Sequence, residues 1–127
     1  VRFTGRVTNG EFVKLYAKAS IAVIPSLYEG FGLPVGEAMS CRIPVICTSG
    51  GALPEVAGDA AFIVPPGNTR ALKNAIIELM ENDTKRNELG EAGYNRVMTN
   101  FMWSNAADKT IETYMQTIED STRRKAH

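Results

Sequence analysis

The sequence predicts an α/β fold, in which a Rossmann-like parallel sheet is flanked by helices and followed by a helical C-terminal end. Three short, continuously apolar segments at 21–24, 43–47 and 61–64 are typical of strands buried on both faces of a parallel sheet. Segments with helical spacing lie before, between and after these strands. The 127 residues suit one ordinary domain or part of a larger one.

The elements before the third strand follow from local signals. Thr8 and Glu11 have the spacing of a capping box, which predicts a helix over 9–19. A short helix at about 34–41 joins the first two strands, and we expect a right-handed crossover between them. Residues 1–4 have the composition of a further strand that begins without any lead-in. We therefore expect this chain to be a fragment.

Helical patterns fill the second half of the chain. A helical turn is predicted at 53–56, and an apolar stripe predicts a helix through 72–80. A polar helix over roughly 84–98 and a final helix follow. We expect Trp103 to anchor the final helix on the core. The predicted capping residues are Asn68 or Thr69, then Asp83 or Thr84, and finally Ser104. The basic tail, residues 123–125, is expected to be solvated.

Charge and hydropathy exclude several classes of partner. Lys plus Arg and Asp plus Glu number 14 each, so no net field favours nucleic acid, and we expect no nucleic-acid partner. No apolar run approaches the roughly 18 residues that cross a bilayer. We expect a cytoplasmic protein, and peripheral attachment at the inner face of the membrane stays open.

Cysteine and histidine content narrows the chemistry. Cys41 and Cys47 are neither dense enough for a disulfide framework nor spaced as metal ligands, and we interpret both as buried free thiols. His127 is the only histidine and is the last residue. Neither a histidine metal site nor a serine or cysteine triad can therefore be built within this chain.

Two carboxylates, Glu29 and Glu37, lie eight residues apart where the first buried strand leads into a helix. Open α/β sheets bind ligands at the carboxyl ends of their strands. Gly30 and Gly32 allow close backbone approach, and amides at a helix start favour an anion such as phosphate. Carboxylates accept hydrogen bonds from hydroxyl groups. The combination predicts a ligand that carries both phosphate and sugar.

Simpler interpretations of the same residues remain open. Glu29 also fits a solvated loop acid, and Glu37 in a first helical turn would favour the positive helix end in any protein. A second glycine turn at 49–52 follows the next strand and is a second candidate ligand loop. Beyond it, we interpret Glu55 as a surface acid of a short helix.

Residues 25–66 resemble the family 4 (group 1) retaining glycosyltransferases, which have the GT-B fold. The family signature is a pair of glutamates separated by seven residues in a frame of glycines and prolines. Here that frame reads PSLYEGFGLPVGEA from 25 to 38, and it matches without a gap. The resemblance continues through the next two strands to Phe101 and Trp103, so most of the chain is covered.

The resemblance implies that residues 1–127 are part of the C-terminal, donor-binding domain of a two-domain enzyme whose N-terminal acceptor domain is absent. Such enzymes transfer a sugar from a nucleotide-diphosphate-sugar to an acceptor hydroxyl with retention of configuration, and they need no cofactor and no bound metal. The acceptor is a sugar, a lipid or a small molecule. Glu29 would be the catalytic residue that contacts donor-sugar hydroxyls, and Glu37 would bind the ribose. The implied donor-binding amides are those of Gly30, Phe31, Gly32 and Leu33.

The chain departs from the family pattern in two ways. Arg42 stands where relatives often have glycine. The family's arginine and lysine that neutralise the diphosphate lie on an upstream segment, so we expect this chain alone not to catalyse transfer. The family strand order would also place two strands between residues 1–4 and 21–24. We therefore expect the isolated sheet to rearrange, to be one segment of a larger protein, or to self-associate through its open edges.

Two other functions fit parts of the sequence. A nicotinamide-binding Rossmann domain is suggested by Gly30 and Gly32 after a strand, but Gly36 is one residue too far for the usual fingerprint. A non-catalytic module that binds a nucleotide sugar or serves as a partner is the alternative from another class. The presence of both Glu29 and Glu37 argues against a fully degenerate site.

Overall fold

The computed structural model describes residues 1–125, with the side chains of residues 1–123. Three parallel strands form one sheet in the order β1-β2-β3, which confirms the predicted α/β class. Val23 pairs with Ile46, and Ile46 pairs with Phe62. The strands are β1 (Ala22–Ile24), β2 (Val45–Thr48) and β3 (Ala61–Val64).

The described residues form six helices, of which α2, α3, α4 and α5 pack against the sheet. The capping box at α1 is confirmed, since the Thr8 amide donates to Glu11 Oε2 at 2.9 Å and the Thr8 hydroxyl accepts from the Glu11 amide at 3.4 Å. Asn68 caps α4, which is one of the two predicted residues. The helices are α1 (Asn9–Tyr16), α2 (Leu33–Ser40), α3 (Leu53–Ala57), α4 (Thr69–Glu81), α5 (Asp83–Asn100) and α6 (Trp103–Lys125).

The two faces of the sheet pack against different helices. Every residue of β2 is buried, as expected of a central strand. Its Val45 and Cys47 side chains pack into a cluster with residues of α2, α3 and α5. Ile46 points to the opposite face, where Ala75 and Leu79 of α4 cover it. The sheet is therefore the middle layer of an α/β/α arrangement.

Helix α5 packs on α2 through glycines, which the sequence interpretation missed. A Cβ atom at Gly90 would lie 2.5 Å from the Arg42 carbonyl oxygen, and one at Gly93 would lie 2.8 Å from Met39 Cγ. Arg42 has a φ of 57°, an uncommon conformation for a residue with a side chain. Its guanidinium stacks on the Tyr94 ring, 3.6 Å from the ring centroid. The contact was not predicted because α5 is mostly polar and two of its three buried residues are glycines.

The prediction of a strand at 1–4 is wrong, and of the three alternatives expected for the isolated sheet one, rearrangement, is not observed. Residues 1–4 form no strand and are exposed, and they pair with neither open edge of the sheet. The described sheet is accordingly continuous within one chain and has not rearranged around a gap. Whether its edges bind a second copy stays a prediction.

Several smaller predictions are also wrong. Asn82, one residue before the predicted Asp83, caps α5 by accepting from the Lys85 amide at 2.9 Å. Helix α6 begins at Trp103, so Ser104 lies inside its first turn. The Trp103 side chain does not anchor the helix, since it is 90% exposed. Cys41 is exposed, and only Cys47 is the predicted buried thiol. His127 and the side chains of residues 124–125 lie outside the described part of the chain.

Candidate ligand site at the carboxyl ends of the strands

Two loops meet at the carboxyl ends of β1 and β2. We call residues 25–32 the first loop and residues 49–52 the second loop. Thr48, which is 3% exposed, donates a hydrogen bond from its hydroxyl to the Ser26 carbonyl. The same hydroxyl oxygen accepts from the Gly50 amide at 3.3 Å. One buried threonine therefore joins both loops, as a buried polar group needs such partners.

The glycines of the second loop allow the two backbones to touch. A Cβ atom at Gly50 would lie 2.3 Å from the Leu27 carbonyl oxygen, and one at Gly51 would lie 2.2 Å from that of Glu29. Gly51 also has a φ of 65°. The Ala52 amide donates to the Glu29 carbonyl at 2.9 Å. Backbone packing thus accounts for both glycines of the turn that was predicted as a second ligand loop.

Glu29 lies within the first loop, and a neighbouring side chain holds its carboxylate. The Ser26 hydroxyl donates to Glu29 Oε1 at 3.2 Å, which orients the half-buried carboxylate. Gly30 follows it and is exposed, and a Cβ atom there would meet nothing within 4 Å. The backbone at Gly30 is therefore open to a ligand on the side next to an oriented carboxylate.

Helix α2 starts at the end of the first loop with a left-handed residue. Gly32 is its N-cap, with a φ of 92° and no side-chain cap, and Pro34 lies in the first turn. Pro34 has no amide hydrogen, and the Val35 amide donates to the Gly32 carbonyl at 3.0 Å, so in this turn the Leu33 amide is the one that can donate to a ligand. Glu37 is the fifth residue of the helix, so the prediction that it lies in the first turn is wrong. The interpretation that the Glu37 carboxylate stabilises the positive N-terminal end of the helix is therefore not supported.

A groove of about 630 Å³ lies beside α2. It is lined by Phe31, Leu33 and Glu37 together with residues of α3, α5 and α6. The Phe31 ring meets the Phe101 ring edge to face, with centroids 6.5 Å apart. The structure thus brings Glu37, Phe31 and Leu33 to one groove. Glu29, Gly30 and Gly32 lie outside its lining, at the meeting of the two loops.

Local electrostatics link Glu37 to α1. Burial raises the pKa of the Tyr16 hydroxyl, and the charges of Glu37 and Cys41 raise it further. Burial alone raises the pKa of the Cys47 thiol to about 11.

Within residues 1–125, no three His, Cys, Asp or Glu side chains are grouped to hold a metal ion. Nor is any helix in that range both long and apolar enough to cross a membrane.

Sequence interpretation missed one residue next to this site, Arg96 of α5. Its guanidinium donates to the Val56 carbonyl at 2.8 Å and to the Glu55 carbonyl at 2.7 Å, 40 and 41 residues away in the chain. Sequence patterns predict contacts from the spacing of apolar residues, so an arginine in a polar helix gives no sign of such a contact. Glu55 itself is exposed, in agreement with its interpretation as a surface acid.

The fold is a Rossmann-like parallel sheet flanked by helices, with two loops meeting at the carboxyl ends of its strands. The chain belongs to the family described as glycosyl transferases group 1, whose model matches residues 1–96. It is 40% identical to O-antigen chain mannosyltransferase B of Escherichia coli over 114 residues, which are 90% of this chain and 30% of that protein. It is 35% identical to MMP alpha-(1->4)-mannosyltransferase of Mycolicibacterium hassiacum over 121 residues, 93% of this chain and 29% of the relative.

Solved structures show the same fold. Sucrose-phosphate synthase from Thermosynechococcus elongatus matches with a TM-score of 0.81 and 33% identity, over 94% of this chain and 31% of that one. The C-terminal domain of a glycosyl transferase group 1 family protein from Francisella tularensis matches with a TM-score of 0.71 and 30% identity, over 81% of this chain and 53% of that one. The chain therefore spans only about 30% of the length of the curated relatives named above.

Proposed function

We propose that this chain supplies the donor-binding part of a retaining glycosyltransferase, which transfers a sugar from a nucleotide-diphosphate-sugar to an acceptor hydroxyl. The observation that carries the proposal is the placement of Glu29 beside the open backbone of Gly30 at the strand ends, in a chain of this family. Both curated relatives named above are mannosyltransferases, which favours mannose as the transferred sugar.

Each site residue has a proposed role that suits its position. Glu29, oriented by Ser26, accepts hydrogen bonds from hydroxyls of the donor sugar. Glu37 binds the ribose from the groove wall. The amides at the uncapped start of α2 face the sugar and the diphosphate, where a helix start favours negative charge. The donor-lining amides are those of Gly30, Phe31, Gly32 and Leu33.

The proposed reaction needs no general base from this chain. The nucleoside diphosphate leaves, and the acceptor hydroxyl attacks the same face of an oxocarbenium-like sugar that electrostatics stabilise. Helix amides supply part of the positive potential that the leaving diphosphate needs. The rest comes from basic groups elsewhere in a longer protein, so this chain alone is inactive in transfer. No cofactor or metal enters this scheme.

The proposal extends to the whole protein. Residues 1–127 form part of the C-terminal donor-binding domain, and the acceptor-binding domain belongs to the part of the protein beyond this chain. The likeness to the isolated C-terminal domain from Francisella tularensis supports this division. We propose a cytoplasmic enzyme that acts at the inner face of the membrane when its acceptor is a lipid. Its acceptor is otherwise a sugar or small molecule, and its open sheet edges are the surfaces for any self-association.

Ligand-observed NMR tests the donor site directly. The folded chain, checked by circular dichroism, is titrated with UDP-glucose, GDP-mannose and ADP-glucose. One nucleotide is expected to bind, and Glu37→Ala and Glu29→Gln should each weaken binding about tenfold or more, as for lost hydrogen bonds to a charged group. Glu81→Ala, which removes an exposed acid from α4, is the matched control and should bind like the parent.

Two outcomes would contradict the proposal. Equal affinity in the parent chain and in both glutamate variants would show that the bound nucleotide does not use the proposed residues. Failure of the folded parent to bind any of the three probes would favour the non-catalytic module instead.

A further inference from the structure

Helix α3 directly follows the second loop and has little stability of its own. It comprises five residues, Leu53–Ala57, and no side chain caps its N-terminus. A helix this short is unstable in isolation, because the cost of nucleation exceeds the gain from one turn of hydrogen bonds. Its position must therefore be fixed by contacts from other elements.

Helix α3 and the residue before it contact the first loop at two places, Glu29 and Gly32. Just before the helix, the Ala52 amide donates to the Glu29 carbonyl at 2.9 Å. Within it, the Leu53 and Val56 side chains lie 3.1 and 3.7 Å from where a Cβ atom of Gly32 would be. A shift of α3 would therefore move the backbone of Glu29, or open space beside Gly32, or both.

Arg96 holds the other end of α3. Its Nε donates to the Val56 carbonyl at 2.8 Å, and its Nη2 donates to the Glu55 carbonyl at 2.7 Å. These are final carbonyls of the helix, which have no partner within it. The guanidinium lies so close to Gly58 that a Cβ atom there would be 2.5 Å from Arg96 Cζ. Gly58, with a φ of 56°, leaves the space that this contact needs.

We propose that Arg96 is a positioning residue for the donor site, and this rests on the proposed function. By binding the last carbonyls of α3, the guanidinium fixes the helix against α5. The helix in turn fixes the second loop and, through Ala52, the backbone at Glu29. Arg96 acts only through α3, and it is not proposed to touch the donor. A planar group with several donors suits two neighbouring carbonyls better than an ammonium does.

Arg86 offers a matched control within the same chain. Its guanidinium donates to the Leu79 and Met80 carbonyls at 2.6 and 2.9 Å, at the end of α4. The contact is of the same chemical kind, and the arginine again comes from α5. The N-cap residue of α3, however, donates to the backbone of Glu29, whereas no such backbone hydrogen bond joins α4 to the first loop in the described residues. A change seen on replacing either arginine therefore reports a loss of general stability. A change seen only on replacing Arg96 reports a loss of positioning.

The experiment compares Arg96→Met, Arg96→Lys and Arg86→Met in the 127-residue chain. Amide hydrogen exchange is followed at Ala52 and at Val56, whose amide donates to the Ala52 carbonyl at 3.1 Å. Loss of the Arg96 contacts should speed exchange at both amides about tenfold, equivalent to about 1.4 kcal/mol. Arg86→Met should leave their rates unchanged relative to amides of β2. Binding of the best nucleotide-sugar probe should weaken about tenfold in Arg96→Met and should be unchanged in Arg86→Met.

The lysine variant keeps the test valid if Arg96→Met fails to fold. A lysine can bind one carbonyl but not both in the same geometry, so exchange and affinity should fall between those of the parent and the methionine variant. Unchanged exchange at Ala52 in a folded Arg96 variant would overturn the proposal, as would equal loss of affinity in Arg86→Met. If the parent binds none of the probes, the proposed function fails, and hydrogen exchange at Ala52 still decides whether Arg96 positions the loops.

Discussion

The two loops of the candidate site use glycine for opposite reasons. Gly50 and Gly51 of the second loop are pressed against the backbone of the first, where a Cβ atom would lie within 2.3 Å of a carbonyl oxygen. Gly30 of the first loop meets nothing within 4 Å. The second loop is therefore a packing surface that supports the first, and the first presents open backbone outward. Sequence spacing alone gives the two loops the same appearance.

The largest effect is expected at the packed loop. Gly51→Ala adds a Cβ atom 2.2 Å from the Glu29 carbonyl oxygen at a φ of 65°, so clash and backbone strain act together. We expect a loss of about 3 kcal/mol or more in the free energy of unfolding, measured by urea denaturation.

Gly67→Ala is the control for Gly51→Ala, because Gly67 has a φ of 73° and open space around it. It should lose only about 1–2 kcal/mol, the cost of a left-handed conformation. Equal losses in the two variants would show that the loops are not closely packed.

The stability of the chain at alkaline pH tests the packing at the end of β2. Cys47 is buried there and immediately precedes Thr48, which joins the two loops. Burial raises the pKa of its thiol from 9.0 to about 11. The thiol therefore contributes stability that is fully present below about pH 9 and is lost as the pH rises through 11. The expected loss is about 2–3 kcal/mol, from about 1.4 kcal/mol for each pKa unit.

Urea denaturation at pH 8 and pH 11 measures that loss, with Cys47→Ala as the reference. The variant lacks the thiol, so its free energy of unfolding should fall by about 2–3 kcal/mol less over this pH range. Lysines and tyrosines titrate in both proteins, so their effect cancels in the comparison. Identical losses would mean that the end of β2 admits water.

A smaller effect is expected where the two loops meet α2. Gly32→Ala places a Cβ atom 3.1 Å from Leu53 Cδ2 at a φ of 92°. A leucine side chain can move aside, so we expect mainly the strain of about 1–2 kcal/mol in the free energy of unfolding. Thermal and urea unfolding of the variant measure it. A loss as large as that of Gly51→Ala would contradict the distinction between flexible and backbone neighbours.

The smallest effect on folding is expected at the open loop. Gly30→Ala should change the free energy of unfolding by less than about 0.5 kcal/mol, as is usual at exposed positions. If a donor approaches this backbone, the added methyl group should nevertheless weaken nucleotide-sugar binding, which NMR titration measures. Unchanged affinity together with unchanged stability would remove Gly30 from the proposed site.

The sequence predicted those parts of the fold that depend on local or periodic signals. The three strands are confirmed because continuous apolar runs leave few alternatives, and the capping box at Thr8 is confirmed because both of its partners are within four residues. Only β2 is buried along its whole length, since Val23 of β1 and Ile63 of β3 are exposed. The prediction of a strand at 1–4 is wrong although its composition was suitable, since these residues pair with neither edge of the sheet. Strand formation depends on partners that the local sequence does not contain.

The candidate site was predicted less completely. The frame from 25 to 38 located Glu29 and Glu37 on the right elements, but their roles stay predictions. Long-range contacts escaped the sequence interpretation. The hydrogen bond from Thr48 to Ser26 spans 22 residues, and that from Arg96 to Val56 spans 40. Neither follows a helical or strand period, so only the folded chain places these groups together.

The order of the strands has a consequence for synthesis of the protein. The strands lie in the sheet in the order in which they leave the ribosome, and the segments between them cover only residues 25–44 and 49–60. Such short closures cost little chain entropy and favour rapid pairing. The hydrogen bonds that join the two loops all come from residues 26–52. We expect the two loops to come together in the nascent chain while the last helix is still being translated.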